Sequence, residues 1–249
     1  MAKERVDKLL VQRGLIDSRE HAQRLIMAGL VFSGTVCVDK PGTRLASDAP
    51  LTIRGEEHPF VSRGGVKLAG ALDAFALDVL GMAVLDVGAS TGGFTDCVLQ
   101  RGARRVYAVD VGYGQLSWKL RADPRVTNLE RTNVRSLTPT VFLEPLDLIT
   151  VDASFISLRL VLPVLITVLP PGGRILALVK PQFEVGRGRV GKGGVVRDAG
   201  QHEEVVAGLR AFASDLGLVV QGVCESPLLG PAGNREFFVL LRKPPEAGE

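Results

Sequence analysis

Along the first fifth of the chain, apolar positions recur first at helical spacing and then at strand spacing. In ERVDKLLVQR, residues 4–13, Val6, Leu9 and Leu10 share one face while Arg5, Lys8 and Gln12 point elsewhere, which predicts a short amphipathic helix. Ser18 is a good N-cap for a second helix running through REHAQRLIMA until Gly29 stops it. LVFSGTVCV then reads as a β-hairpin turning at Ser33-Gly34, and KPGTRL adds another turn and an extended segment. Residues 1–54 are therefore expected to close as a small α+β domain. The polar, glycine- and proline-bearing stretch RGEEHPFVSRGG, Arg54 to Gly65, reads as a linker over 55–65.

From residue 66 to 243 the rhythm changes to alternating strand and helix. VKLAGALDAFALDVL predicts a helix, followed by strand AVLDVGAS, helix GFTDCVLQ, strand RVYAVDVG, a short helix near Ser117 to Arg121, and strand VTNLERT. Strand LDLITVDAS, helix LRLVLPVLITVL, strand RILALVK and helix AGQHEEVVAGLRAFASDL come next, then strands LVVQGVCE and EFFVLLRK. Near-continuous apolar strands separated by helices predict an α/β, Rossmann-like, mostly parallel seven-stranded sheet covered on both faces. The last two strands lie too close in sequence for a helical crossover and predict an antiparallel edge pairing. Residues 244–249 read as a flexible tail.

Composition narrows the class. At 249 residues with 46% hydrophobic and 23% charged side chains, the chain is a globular protein able to bury a large core. Residues 1–54 carry nine Lys and Arg against six Asp and Glu, so the entire net charge of +3 lies there, as an anionic partner would favour. Cys37, Cys97 and Cys224 show neither disulfide nor zinc spacing, which indicates a reducing, cytoplasmic setting and no metal. The charged start MAKERVDKLL lacks a signal-peptide core, and the longest apolar run is broken by Arg159 and Pro163, so no membrane association is expected.

Candidate chemistry gathers at the ends of the predicted strands. In LDVGASTGGFTD the strand ends at Asp86, and Gly88, Ala89, Ser90, Thr91, Gly92 and Gly93 form the turn into a helix, the ligand-binding end of a doubly wound sheet. The spacing is not that of a dinucleotide fingerprint. An acid followed by small residues suits a ligand offering an amine and no phosphate, such as S-adenosylmethionine. Asp110, with Val111 after it, ends the next strand about 20 residues on and is placed to take ribose hydroxyls. Asn133 and Val134 follow the third strand and are candidates for the adenine. Asp152 ends the fourth strand in VDASFISL and faces the same cavity, with Ser154 or Ser157 able to cap the following helix. Lys180 ends the fifth strand in RILALVKPQFE, where a buried strand has no ordinary use for a charge, and Pro181 stiffens the backbone behind it. Lys67 in SRGGVKL and Glu236 in GNREFF complete a set of two lysines and two carboxylates at one sheet edge.

Together, VSRGGVKL, DVGASTGGFTD, VDASFISL, LVKPQFEVGRGRVGKGGVVRD and GNREFF, behind ERVDKLLVQRGLIDSREHAQRLIMAGLV, resemble the TlyA family of ribosomal RNA 2′-O-methyltransferases, also labelled hemolysins. The likeness covers the chain apart from its tail. It implies an N-terminal S4-type RNA-binding domain and an FtsJ-like methyltransferase domain whose Lys-Asp-Lys-Glu tetrad falls on Lys67, Asp152, Lys180 and Glu236. It also implies S-adenosylmethionine as cofactor and ribosomal RNA, at cytidine, as partner.

The chemistry requires aiming a ribose 2′-hydroxyl at a sulfonium methyl and removing its proton, without a metal. Lys67 beside Lys180 would favour a neutral amine, while Asp152 and Glu236 would favour the ammonium. Whether Lys180 abstracts the proton or orients the hydroxyl while water takes it stays open at this level. RNA contacts are expected from Arg5, Lys8, Arg13, Arg19 and Arg24 on the N-terminal helices, and from Arg187, Arg189, Lys192 and Arg197 in the glycine-rich loop after Lys180. Trp118, alone in a short helix, reads as packing rather than base stacking. A membrane-damaging hemolysin and a catalytically inactive ribosome-assembly factor are the competing readings, and the linker is a candidate coupler of RNA and cofactor binding.

Overall fold

The computed structural model describes residues 3–27, 29–54, 59–186, 188–191, 193–230 and 232–245. Two compact units, 1–66 and 67–249, divide the chain. Of the expected linker, 55–58 lie outside the described residues and Arg63–Gly65 already form the first turn of a helix. Of the expected tail, 246–249 lie outside them as well.

The first unit contains β1 (Lys3–Arg5), α1 (Val6–Gln12), α2 (Arg19–Met27), β2 (Val31–Ser33), β3 (Val36–Cys37), β4 (Arg44–Ala46) and β5 (Leu51–Ile53). β1 pairs with β4, and β2 lies between β3 and β5, all antiparallel. Val6, Leu9 and Leu10 meet Ala22, Leu25 and Ile26 in a dry core with Val31 and Leu51. The first helix starts two residues later than its periodicity suggests, because Lys3–Arg5 spend their backbone groups on β4.

Buried Asp7, on the first turn of α1, is the polar centre of this unit. Its carboxylate takes Arg5 Nε and Nη2 at 2.9 Å each, and Arg19 Nη2 and Gln23 Nε2 at 3.0 Å each. Burial alone would raise its titration, but the hydrogen bonds from Arg5, Gln23 and Arg19 more than offset this and hold the carboxyl well below the usual range.

The second unit contains α3 (Arg63–Ala74, from its fifth residue on), β6 (Ala83–Val87), α4 (Gly93–Gln100), β7 (Arg105–Val109), α5 (Trp118–Arg121), β8 (Val126–Leu129), β9 (Leu148–Val151), α6 (Leu158–Val168), β10 (Arg174–Val179), α7 (Pro181–Glu184), α8 (Ala199–Asp215), β11 (Val219–Glu225) and β12 (Phe237–Arg242). The sheet order is β11-β12-β10-β9-β6-β7-β8; β6 to β10 are parallel and β12 is antiparallel to both its neighbours. β6 and β9 are the central neighbours from which the order runs outward in both directions, so their C-terminal ends form the switch point where such sheets bind ligands. α3 stops at Ala74, short of the expected residue 80. Ala76 turns left-handed at φ 48°, Leu77 N bonds Leu72 O, and the apolar run beyond leaves the helix axis.

Candidate active site

Strand register brings the chemistry together. Val87 pairs with Val151, so Gly88 and Asp152 leave the sheet side by side, and Asp152 N donates to Val87 O. Val179 pairs with Phe237, so Lys180 and Glu236 are the next neighbours beyond the last rung. Because β12 runs antiparallel, its starting residue lies at the edge where the parallel strands end.

The glycine turn is built tightly. Gly88 and Gly92 have φ of 82° and 96°, and Ser90 sits at 48°, a conformation costly for a side-chain-bearing residue. A Cβ on Gly88 would lie 2.8 Å from the carbonyl oxygen of Asp152. Gly88→Ala is therefore expected to push β6 and β9 apart at the switch point and cut donor affinity at least about tenfold, measured by calorimetric titration. Asp110 organises this turn: Oδ2 accepts Ser90 N at 2.8 Å and Oδ1 accepts Gly112 N at 2.7 Å. A carboxylate has about four acceptor positions, so one on each oxygen stays available for ribose hydroxyls. The turn, the start of α4 and Asp110 thus fit an aminoacyl nucleoside. Ala89, Thr91 and Gly93 supply backbone here, and Thr91 O accepts Ser117 N at 3.2 Å.

Three expected contacts change on this geometry. Asp86 is fully buried and cannot meet a ligand amine directly; α4 folds over that face of β6, and Thr95 and Thr150 donate to the carboxylate at 2.6 and 3.2 Å. Burial, with Asp152 adding repulsion, pushes its titration up to about 7, against the two hydroxyls. The stability associated with this group is thus complete below the unfolded carboxyl range and lost as pH rises through about 7. Asp86→Asn should flatten that slope, as denaturant midpoints near pH 6 and pH 8 would show. Val134 buries its side chain in the core, leaving only backbone for an adenine, and Asn133 Oδ1 is committed to Arg135 N at 3.0 Å. Val111, by contrast, is exposed beside the turn.

The four tetrad residues form two ion pairs. Lys180 Nζ lies 2.6 Å from Asp152 Oδ1 and donates to Ser154 Oγ at 2.8 Å. The first approach is close in distance without hydrogen-bond direction, so Asp152 Oδ1 keeps acceptor capacity. Lys67 Nζ donates to Glu236 Oε2 at 2.6 Å, with side chains only 9% and 1% exposed. Glu236 Oε1 is buried without a hydrogen-bond partner among the described residues, and Gly230 leaves the space beside it. Lys67 is thus neutralised by Glu236 rather than standing as a bare cation near Lys180.

Ser157, not Ser154, caps the following helix, accepting Arg159 N at 3.1 Å. Phe155, which no pattern in the sequence singles out, is 90% exposed at φ 64° one residue from Ser154. Trp118 is also exposed, correcting its reading as packing, and so is Tyr113, over which Arg131 stacks at 4.1 Å. Asn234 was missed too: fully enclosed, it holds the loop after Lys180 by accepting Val196 N at 2.9 Å and donating to Gly194 O at 3.0 Å. Nothing in GNREFF distinguishes a clamp from a turn residue.

The expected RNA-contacting residues are partly engaged. Arg5 and Arg19 are anchored on Asp7, Lys8 is 3.6 Å from Glu4, and Arg13 donates to the carbonyls of Ser47 and Ala49. Arg24 lies in the last turn of α2. Arg189 forms a two-pronged pair with Glu204 and Arg197 is exposed, whereas Arg187 and Lys192 lie outside the described residues.

The FtsJ-like methyltransferase family matches residues 60–243 and the S4 domain matches 4–49. The 16S/23S rRNA (cytidine-2′-O)-methyltransferase TlyA of Mycobacterium tuberculosis is 51% identical over 239 residues, 96% of this chain and 89% of that protein. The chain belongs to the TlyA family of FtsJ-like methyltransferases. A candidate rRNA methyltransferase of Bacillus subtilis, YqxC, is 52% identical over 99% of this chain and 88% of its own length. Among solved structures, a candidate hemolysin from Streptococcus thermophilus superposes with a TM-score of 0.76 at 47% identity, covering 99% of this chain and 92% of that one. This FtsJ-like methyltransferase uses S-adenosylmethionine as its methyl donor, which the turn and Asp110 fit.

Proposed function

We propose that the protein methylates ribose 2′-hydroxyls of ribosomal RNA, at cytidine, in the cytoplasm where ribosomes are built. The observation that carries this reading is Lys180 at the C-terminal sheet edge, held 2.6 Å from Asp152 Oδ1 and 2.8 Å from Ser154 Oγ beside the donor turn. S-adenosylmethionine supplies an electrophilic methyl on a sulfonium. Lys180, paired with Asp152, orients the 2′-oxygen toward that methyl, and the hydroxyl proton passes to water as the C–O bond forms and the C–S bond breaks. The ion pair favours orientation over direct abstraction, the choice left open by the sequence. Glu236, buried behind the sheet edge, acts through Lys67, whose ammonium it holds with Oε2. Exposed Phe155 offers a face on which a displaced base stacks. The S4 domain and the loop after Lys180 supply phosphate contacts, which give affinity more than sequence choice.

Among the described residues no helix is long and apolar enough to cross a membrane. The test is incubation with labelled donor and ribosomal subunits, followed by mapping of 2′-O-methyl groups. Label on cytidine ribose supports the proposal. Donor and subunit binding without transfer would instead favour the inactive assembly factor, and lysis of cells by the purified protein would favour the hemolysin.

A further inference from the structure

We propose that Glu184 is a positioning residue for methyl transfer, tying the turn after Lys180 to the turn after Asp152. The inference rests on the role given to Lys180 above. Glu184 ends α7, the single turn that begins directly after Lys180. Its Oε2 accepts the Ser157 hydroxyl at 2.6 Å and its Oε1 accepts Leu158 N at 2.8 Å, so it caps the start of α6 from another segment. At the opposite end of the same two segments, Lys180 donates to Ser154 Oγ at 2.8 Å. Residues 152–158 and 180–184 are thereby fastened at both ends, with the Phe155 and Phe183 rings 5.2 Å apart between them.

Two further observations give this fastening a purpose. Phe155 holds φ 64°, a conformation that a bulky L residue keeps only when its surroundings impose it. The restraint therefore has to come from the flanking contacts, and Glu184 supplies those on the helical side. Moreover, Glu184 is partly buried, and burial pushes its carboxyl up against the hydrogen bonds from Ser157 and Leu158. A carboxylate is a costly choice in such a place when a neutral cap would serve stability as well. Its advantage is two acceptor oxygens for two donors. Glutamine keeps the volume and one acceptor for Leu158 N, but its amide NH₂ has to donate to Ser157 Oγ, which reverses that bond and sets it beside Arg159 N on the same hydroxyl oxygen.

The experiment compares the full-length wild type with Glu184→Gln, using ribosomal subunits and labelled donor for steady-state rates, and hydrogen exchange for the turn. Glu184→Gln is expected to lower kcat about tenfold or more while KM for donor and for subunits changes less than about twofold, since misplacement near the reacting atoms costs rate rather than binding. Exchange should quicken in 153–158 and stay unchanged in 84–99. A wild-type kcat in Glu184→Gln, a loss confined to KM, or unaltered exchange in 153–158 would each overturn the proposal. If the wild type itself transfers no methyl group, the functional reading above falls. In that case exchange still decides whether Glu184 holds the turn.

Discussion

Lys180→Ala is expected to lower methyl transfer roughly 10²–10⁴-fold while leaving donor affinity and the fold in place. The donor turn is organised by Asp110 and by glycine backbone, none of which touches the Lys180 side chain, so cofactor binding should survive. What disappears is the cation that orients the hydroxyl. The Asp152 side chain is 25% exposed, so once the ammonium at 2.6 Å is removed water can enter beside the buried Oδ1, which limits the structural penalty. Lys180→Arg should not restore the rate. A planar fork in place of a compact ammonium cannot hold both Asp152 and Ser154 at the distances seen here. The measurement is a single-turnover rate on ribosomal subunits alongside calorimetric donor titration. A variant that transfers at the wild-type rate would remove Lys180 from the mechanism.

Lys67 and Glu236 predict a different outcome, in which stability fails together with activity. Their side chains are 9% and 1% exposed, so removing one partner strands a charge inside the protein. Lys67→Met or Glu236→Leu alone should each cost about 3–5 kcal/mol of unfolding free energy. The double replacement should recover most of that, because two apolar side chains leave no orphaned charge in the cavity. All three variants should be inactive. Denaturant titration of the four proteins, read as a double-mutant cycle, checks the coupling; independent, additive losses would show that the pair does not act as a unit.

Much of the fold was legible because it depends on local pattern. Val6, Leu9 and Leu10 define a helical face in one turn of chain, and the uninterrupted apolar runs around Leu85, Ile149 and Leu176 demand a sheet covered on both sides. The candidate site drew notice for a related reason. A charge at the end of an apolar strand, as at Asp110, Asp152 and Lys180, conflicts with its surroundings unless it has work to do. Asp86 shows where that reasoning stops. It carries the same signature, yet α4 closes over it and two threonines satisfy it, and that closure depends on residues 9 and 64 positions away in sequence. Asp7, Asn234 and Glu184 were invisible for the same reason: each is made important by partners that only folding brings near.

The sequence by itself determined the alternation of strands and helices, the glycine turn and the basic N-terminal domain, because these follow from spacing and side-chain chemistry along a short stretch, whereas Lys67, Asp152, Lys180 and Glu236 came together as a candidate set through the family resemblance. Only the tertiary structure decided how the tetrad divides into pairs. Register sets Lys180 beside Glu236 along the sheet edge, but each lysine reaches a different carboxylate, Lys180 to Asp152 and Lys67 to Glu236. Charge balance alone permits either arrangement. Burial selects between them, because a carboxylate enclosed as completely as Glu236 needs a cation at contact distance, and α3 is the element that supplies it.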